Sequence, residues 1–214
     1  MDDQYYILED GEQTGPFNLE ELIDQEPDIH TRVLSPEENA WKDACDLPEL
    51  YEYFRDQGIH FPTESNIASP WIRFGAFVID FVLVYIIFLI TVLILSSRGL
   101  LPGIEALART GTLTKLPPDQ LRLMEIVVYL ILIAYFTIGE ASAMKASIGK
   151  RICGLIVVNA DGEGIGFPIA LARGLAKVVS LPLWGIPFVS IFWSEHRQTL
   201  PDYLARTYVI KRDA

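Results

Sequence analysis

Cysteine and histidine are scarce. The 214 residues contain two cysteines, Cys45 and Cys153, in different halves, and three scattered histidines, His30, His60 and His196. Such spacing makes neither a disulfide framework nor a metal site, so no metal or cofactor is expected and a reducing compartment is. Charge is also sparse, at 21% of residues against roughly 25% in ordinary globular chains. Basic residues are nearly missing from the first 66 positions, which hold 3 Lys+Arg against 18 Asp+Glu, while the remainder is net +4. This split excludes a uniform globule, a fibrous protein and a disordered tail. An acidic head repels phosphate, so nucleic acid is not an expected partner. The amino terminus has neither a basic nor an apolar start, so no cleavable secretory signal is expected.

What the body does have is apolar runs. Residues 74–95 are 22 positions with one charge, Asp80, and about 20 apolar residues suffice to cross a bilayer as a helix. Residues 126–138 are uncharged, and the run extends to 121–144 with Arg122, Glu125 and Glu140 near its ends, where charges can snorkel. Both are expected to cross. In 169–193, Arg173 and Lys177 share one helical face and Ala172, Ala176 and Ser180 another, the pattern of an amphipathic interfacial helix. Its second part, 178–193, is uncharged but broken by Pro182, Gly185 and Pro187, so a re-entrant hairpin and a third crossing both fit its length. Flanking Lys+Arg divide 10 against 4 for the hairpin and 6 against 8 for three crossings, and the positive-inside tendency favours the hairpin, with head and tail cytoplasmic. Two β-branched stretches, 155–158 and 207–210, are expected to pair, which requires them to be on one side of the membrane.

The head reads as a small α+β module: a strand at 5–8, an Asp10-Gly11 turn, a return at 12–15, and a helix opened by Asn18 with Glu21 in capping-box position. A strand at 30–34, a Ser35-Pro36 turn and a helix at 47–56 with Leu50, Tyr51 and Phe54 inward complete it. The expected fold class is thus a small α+β N-terminal module (1–57), a linker (58–70) and an α-helical transmembrane domain (71–214) with two full spans and a third hairpin or crossing segment. Tyr5, Tyr6, Phe17 and Trp41 exceed what so small a core obviously needs. They are either core or an aromatic groove of the kind that docks proline-rich peptides, with the acidic charge steering basic ones.

Catalytic patterns fail on their spacing. Around Gly149-Lys150 a phosphate loop would need glycine at Met144 and Ser or Thr at Arg151. After Gly162-x-Gly164-x-Gly166 a dinucleotide fingerprint would need glycine at Phe167. Ser194-Glu195-His196 has no inferable partners, and an enzyme is not expected. An ionisable group remains. Arg73 and Asp80 share a helical face, and Glu140, Lys150, Arg173 and Lys177 reach a comparable depth. An unpaired charge there costs about 2.5–3.5 kcal/mol on insertion scales, so Asp80 is expected to have a cationic partner, first Arg173 or Lys150 and also Arg73. Two functions follow. One is a membrane-anchored adaptor or assembly protein whose polar cluster locks the helices. The other is transport of a small ligand, cation or proton through Asp80 and Glu140, which so few spans could support only as a homo-oligomer.

Two resemblances sharpen this reading. Tyr6-Ile-Leu-Glu-Asp-Gly11, Gly15-Pro16-Phe17, Leu22-Ile23, Thr31-x-Val33 and Trp41-x-x-Ala44-x-x-Leu47-Pro48-Glu49-Leu50 resemble the bacterial GYF-like domain over residues 4–50. Leu34 stands where that family often has an aromatic, and 36–39 replace a glycine-containing turn. The resemblance implies a protein-interaction module for proline-rich peptides. Arg73 and Asp80, then Ser147-Ile148-Gly149-Lys150-Arg151, Gly154-Leu155, Val157-Val158 and Asp161-Gly162, then Asp202-x-x-Ala205-x-Thr207-x-Val209, resemble the RDD family of membrane proteins over 68–212. Pro201 and Arg206 depart from its common His and Gly. The resemblance implies a multi-pass protein of the bacterial plasma membrane, in contact with lipid, and adds Asp202 to the polar cluster.

Overall fold

Alternation along the first strand divides the head into two faces. The computed structural model describes residues 4–9, 11–36, 40–101, 117–180, 190–194 and 196–212. Strands β1 (Tyr5–Glu9), β2 (Glu12–Phe17), β3 (Arg32–Leu34) and β4 (Trp41–Asp43) form an antiparallel sheet in the order β2-β1-β3-β4. Successive side chains point to opposite faces, so Tyr5, Ile7 and Val33 are buried while Leu8 is exposed. The peptide bond before Pro16 is cis, and Gly15 has φ +133°. A Cβ there would meet the Tyr5 carbonyl and the Tyr6 ring at 2.8 Å, so glycine is required. Helix α1 (Leu19–Asp24) starts with the expected reciprocal cap: Glu21 N–H donates to Asn18 at 2.8 Å and Asn18 N–H to Glu21 at 2.9 Å.

Two short 3-10 turns, Ala44–Asp46 and Pro48–Leu50, lead into α2 (Tyr51–Asp56). The helix expected from 47 therefore begins later, because Pro48 opens a tighter turn first. Leu22, Ala44, Leu47, Leu50 and Phe54 close the core over the sheet. Ile59 and Phe61, in the stretch read as linker, also pack on this core. The unit runs to Pro62 and includes Ala160–Glu163, where the His60 amide donates to the Gly162 carbonyl at 2.8 Å.

The second unit is built on helices α3 (Pro70–Ser97) and α4 (Pro118–Ala141), both long and apolar enough to cross a membrane. Proline stands in the first turn of each, where its missing N–H costs nothing. Phe74, Phe81, Tyr85, Ile90 and Leu93 of α3 are exposed. A soluble core helix would bury them, whereas lipid accepts them. Short α5 (Ile148–Ile152) leads to β5 (Leu155–Val158), then α6 (Phe167–Ser180), α7 (Leu200–Leu204) and β6 (Tyr208–Lys211).

Strands β5 and β6 pair antiparallel, Leu155 opposite Lys211 and Val158 opposite Tyr208, as their β-branched composition implied. Ile67 bridges to Ile210, and the Ala68 amide donates to the Val209 carbonyl. The approach to α3 thus adds a third line of backbone to this sheet. One face holds Leu155, Val157 and Val209 against Ala76 and Ala170; the other holds Ile156, Val158 and Ile210 against Ile67. Both faces being covered explains why all of β5 is apolar. The start of α3, the end of α4, β5 and β6 consequently lie at one end of the helix pair. Most of 178–193, where a hairpin and a third crossing were both open, falls at 181–189, outside the described residues.

Candidate functional site

Helix α6 is amphipathic, as its sequence implied, and buries Ala170, Arg173 and Gly174. A Cβ on Gly174 would lie 2.9 Å from the Thr137 hydroxyl and 3.4 Å from the Ile133 carbonyl. The missing side chain therefore lets α6 close on α4 and sets the neighbouring Arg173 against Glu140. The Arg173 side chain has no exposed surface. Its Nε donates to Glu140 Oε2 at 3.0 Å, one Nη to Asp202 Oδ1 at 2.6 Å, and the other Nη to the Thr207 hydroxyl. A planar fork with five donors suits three acceptors from three elements in a way that lysine does not.

Two further cations reach Glu140. Lys150 Nζ donates to its Oε1 at 2.7 Å and Lys177 Nζ to the same oxygen at 2.5 Å. Lys177 also lies 4.1 Å from the Phe136 ring centre, a cation–π contact. Asp202 is the N3 residue of a capping box opened by Thr199 on α7. Its Oδ2 accepts Arg73 Nη1 at 3.0 Å and the Thr199 amide at 3.1 Å, and Arg73 Nη2 donates to the Val209 carbonyl at 3.0 Å. Burial alone would raise the Asp202 carboxyl, but the guanidiniums of Arg173 and Arg73 outweigh it and hold the group below the usual carboxylate range.

Asp80 departs from expectation. It was expected to pair with Arg173, Lys150 or Arg73, yet its oxygens are taken by uncharged donors. Tyr135 donates at 2.5 Å and the Gly149 amide at 2.7 Å to Oδ1, and Ser147 at 2.6 Å to Oδ2. The reason is local. The first amides of α5 lack intrahelical acceptors, and Asp80 supplies one from α3. Ser147, at the N-cap of α5, makes no cap bond of its own and turns its hydroxyl to Asp80 instead. Glycine at 149 is essential, since a Cβ would collide with the Ala76 carbonyl and the Asp80 carboxylate.

The network therefore joins Arg73, Glu140, Lys150, Arg173, Lys177 and Asp202, with Asp80 as a separate clasp between α3 and α5. Tyr135, Ser147 and Thr207 contribute uncharged hydroxyls whose partners the sequence does not reveal. A sequence signal existed for Tyr135, a hydroxyl inside an otherwise apolar run. Of the aromatic candidates in the head, Tyr5 is corrected: it is 3% exposed and belongs to the core, because it shares the inward face with Ile7. Phe17 is partly buried against the same core. Tyr6 and Trp41 are half-buried, opposite Leu34 from either side on β1 and β4. In the third catalytic pattern, Ser194 Oγ accepts the Gln198 amide and His196 packs edge-on to Tyr208, while Glu195 is outside the described residues.

Removing the Asp80 carboxylate would leave the buried Ser147 hydroxyl and Gly149 amide without an acceptor, at about 1–3 kcal/mol each, and the half-buried Tyr135 hydroxyl as well. Asp80→Ala is therefore expected to lower the melting temperature of the detergent-solubilised protein sharply. Because no cation loses a partner, adding Arg173→Ala or Lys150→Ala is expected to lower it further. Recovery in either double variant would show an ion pair at Asp80.

Comparison with known proteins agrees with this architecture. The RDD family profile matches residues 67–206 and the profile named GYF domain 2 matches residues 5–50. The chain is 29% identical over 152 residues to the uncharacterized protein YxaI of Bacillus subtilis (strain 168), covering 67% of this chain and 96% of that protein. It is 28% identical over 153 residues to the uncharacterized protein YckC of the same organism, covering 67% and 86%. No solved structure matches. With buried Asp80 and Asp202 and half-buried Arg73 fastening its helices and the profile spanning most of its length, the chain belongs to the RDD family.

Proposed function

We propose that this protein is a membrane-anchored adaptor or assembly protein, not an enzyme, whose helices anchor it in the bacterial plasma membrane and whose GYF-like head captures an extended segment of another protein. The observation that carries the reading is the row formed by Tyr6, Leu34 and Trp41 across β1, β3 and β4, half-buried on the face turned away from the core. Two aromatics flanking an aliphatic residue suit a proline-rich segment in polyproline conformation. The surrounding acidic charge favours a basic one. Transport of a small ligand, cation or proton by a homo-oligomer is the weaker reading, because Glu140, Asp80 and Asp202 already have every carboxylate oxygen engaged by protein donors.

The head faces the cytoplasm in this reading. Its support is the excess of flanking Lys+Arg on that side and the strand pairing that returns the chain there. With Cys45 and Cys153 replaced by serine, a cysteine at Lys211 is expected to resist an impermeant thiol reagent in intact cells and one at Arg98 to react. The reverse pattern would invert the topology.

For binding, the full chain in detergent is expected to bind a fluorescent basic proline-rich peptide by anisotropy. Trp41→Ala or Tyr6→Ala is expected to weaken it about tenfold or more, the scale of an aromatic anchor. No binding across a broad proline-rich set, by a folded protein, would contradict the adaptor reading.

A further inference from the structure

The ionic network is unbalanced in charge. Arg73, Lys150, Arg173 and Lys177 face two carboxylates, Glu140 and Asp202. Counting Asp80, held by uncharged donors, four cations still face three carboxylates among the described residues. The surplus is at one place. Both Lys150 and Lys177 donate to the single oxygen Glu140 Oε1, and Arg173 occupies Oε2. An ammonium has three donor hydrogens, and each lysine uses one hydrogen bond here. Their side chains retain 13% and 14% exposure while Glu140 has none, so an anion could reach the lysines but not the carboxylate.

The level at which this pair lies identifies the anion's source. Trp71 at the start of α3, Phe167 at the start of α6, Trp193, and Tyr203 on α7 are all largely exposed. Exposed aromatics gathered at one end of apolar helices mark the interface of a bilayer. Glu140 is in the last turn of α4, and Lys150 is on α5 just beyond it. On α6, Lys177 lies one turn past Arg173. The two ammonium groups meet at Glu140, in that last turn, so they lie toward the aromatic end of the helices, where basic pockets between helices take up acidic lipid.

We propose that Lys150 and Lys177 form a site for the headgroup phosphate of an anionic phospholipid, which supplies the negative charge that the network lacks. The two ammonium groups share one carboxylate oxygen, so they are close enough for a single phosphate to accept from both. Glu140 holds both in place through its Oε1. The site depends on the helices meeting lipid, not on what the head binds.

The test is native mass spectrometry of the full chain with equimolar phosphatidylglycerol and phosphatidylcholine. One phosphatidylglycerol is expected to be retained with about tenfold preference or more, and the folded Lys150→Gln/Lys177→Gln variant is expected to lose the preference. Equal retention by the wild type, or undiminished preference in the variant, would overturn the site. A photoreactive phosphatidylglycerol is expected to label wild-type peptides containing Lys150 or Lys177. This arm stands whether or not the variant folds, and labelling confined to other segments would overturn the proposal. Inorganic phosphate raising the melting temperature as much as the lipid would assign the anion to solution and overturn the lipid source.

Discussion

A guanidinium with no exposed surface must have its charge matched by the protein around it, and in this fold Arg173 is that guanidinium. It ties Glu140 at the end of α4 to Asp202 on α7 and to Thr207 just before β6. Through Asp202 the connection continues to Arg73 on α3 and from there to the backbone of β6. One side chain on an amphipathic helix thus fixes both membrane-length helices relative to the small sheet. Removing one partner of such a group typically costs about 3–5 kcal/mol, because a charge is left buried and alone.

The close approach of α6 makes this possible. Gly174 brings the α6 backbone against Ile133 and Thr137, and Arg173 follows it inward. Asp80 does different work. Although it is as deeply buried as the other carboxylates, it is solvated by two hydroxyls and one amide, in effect capping α5 from α3. The arginine and two aspartates of the signature thus serve two clasps: Arg73 and Asp202 pair with each other, while Asp80 holds a helix start.

Elements with a strong local pattern were legible in the sequence. The apolar runs at 74–95 and 121–144 became α3 and α4, the Asn18–Glu21 cap became the start of α1, and the β-branched stretches became the β5–β6 pair. The short β4 was not, since three residues have no usable period and exist as a strand only through pairing with β3. Depth along a helix put Asp80 with Glu140, Lys150, Arg173 and Lys177, but could not show that Asp80 meets uncharged donors instead of the cations. Arg173, Lys150 and Lys177 converge on Glu140 because of the approach at Gly174, a tertiary contact. The hydroxyl of Tyr135 finds Asp80 across 55 positions of chain, and nothing in a single helix specifies such a partner. In the head, alternation was available to separate Tyr5 from Tyr6, and it does so correctly.

The claim that Arg173 and its two carboxylates act as one charged unit is tested most directly by thermal unfolding in a fixed detergent. Arg173→Met alone should destabilise the protein strongly, because Glu140 and Asp202 both lose a buried cation. Adding Glu140→Gln and Asp202→Asn removes interactions already lost with Arg173 but also takes the carboxylates from Arg73, Lys150 and Lys177, so the triple variant should melt below Arg173→Met yet well above the temperature expected from adding the three single effects. A triple variant that melts at or below the temperature expected from adding the three single effects would contradict the account.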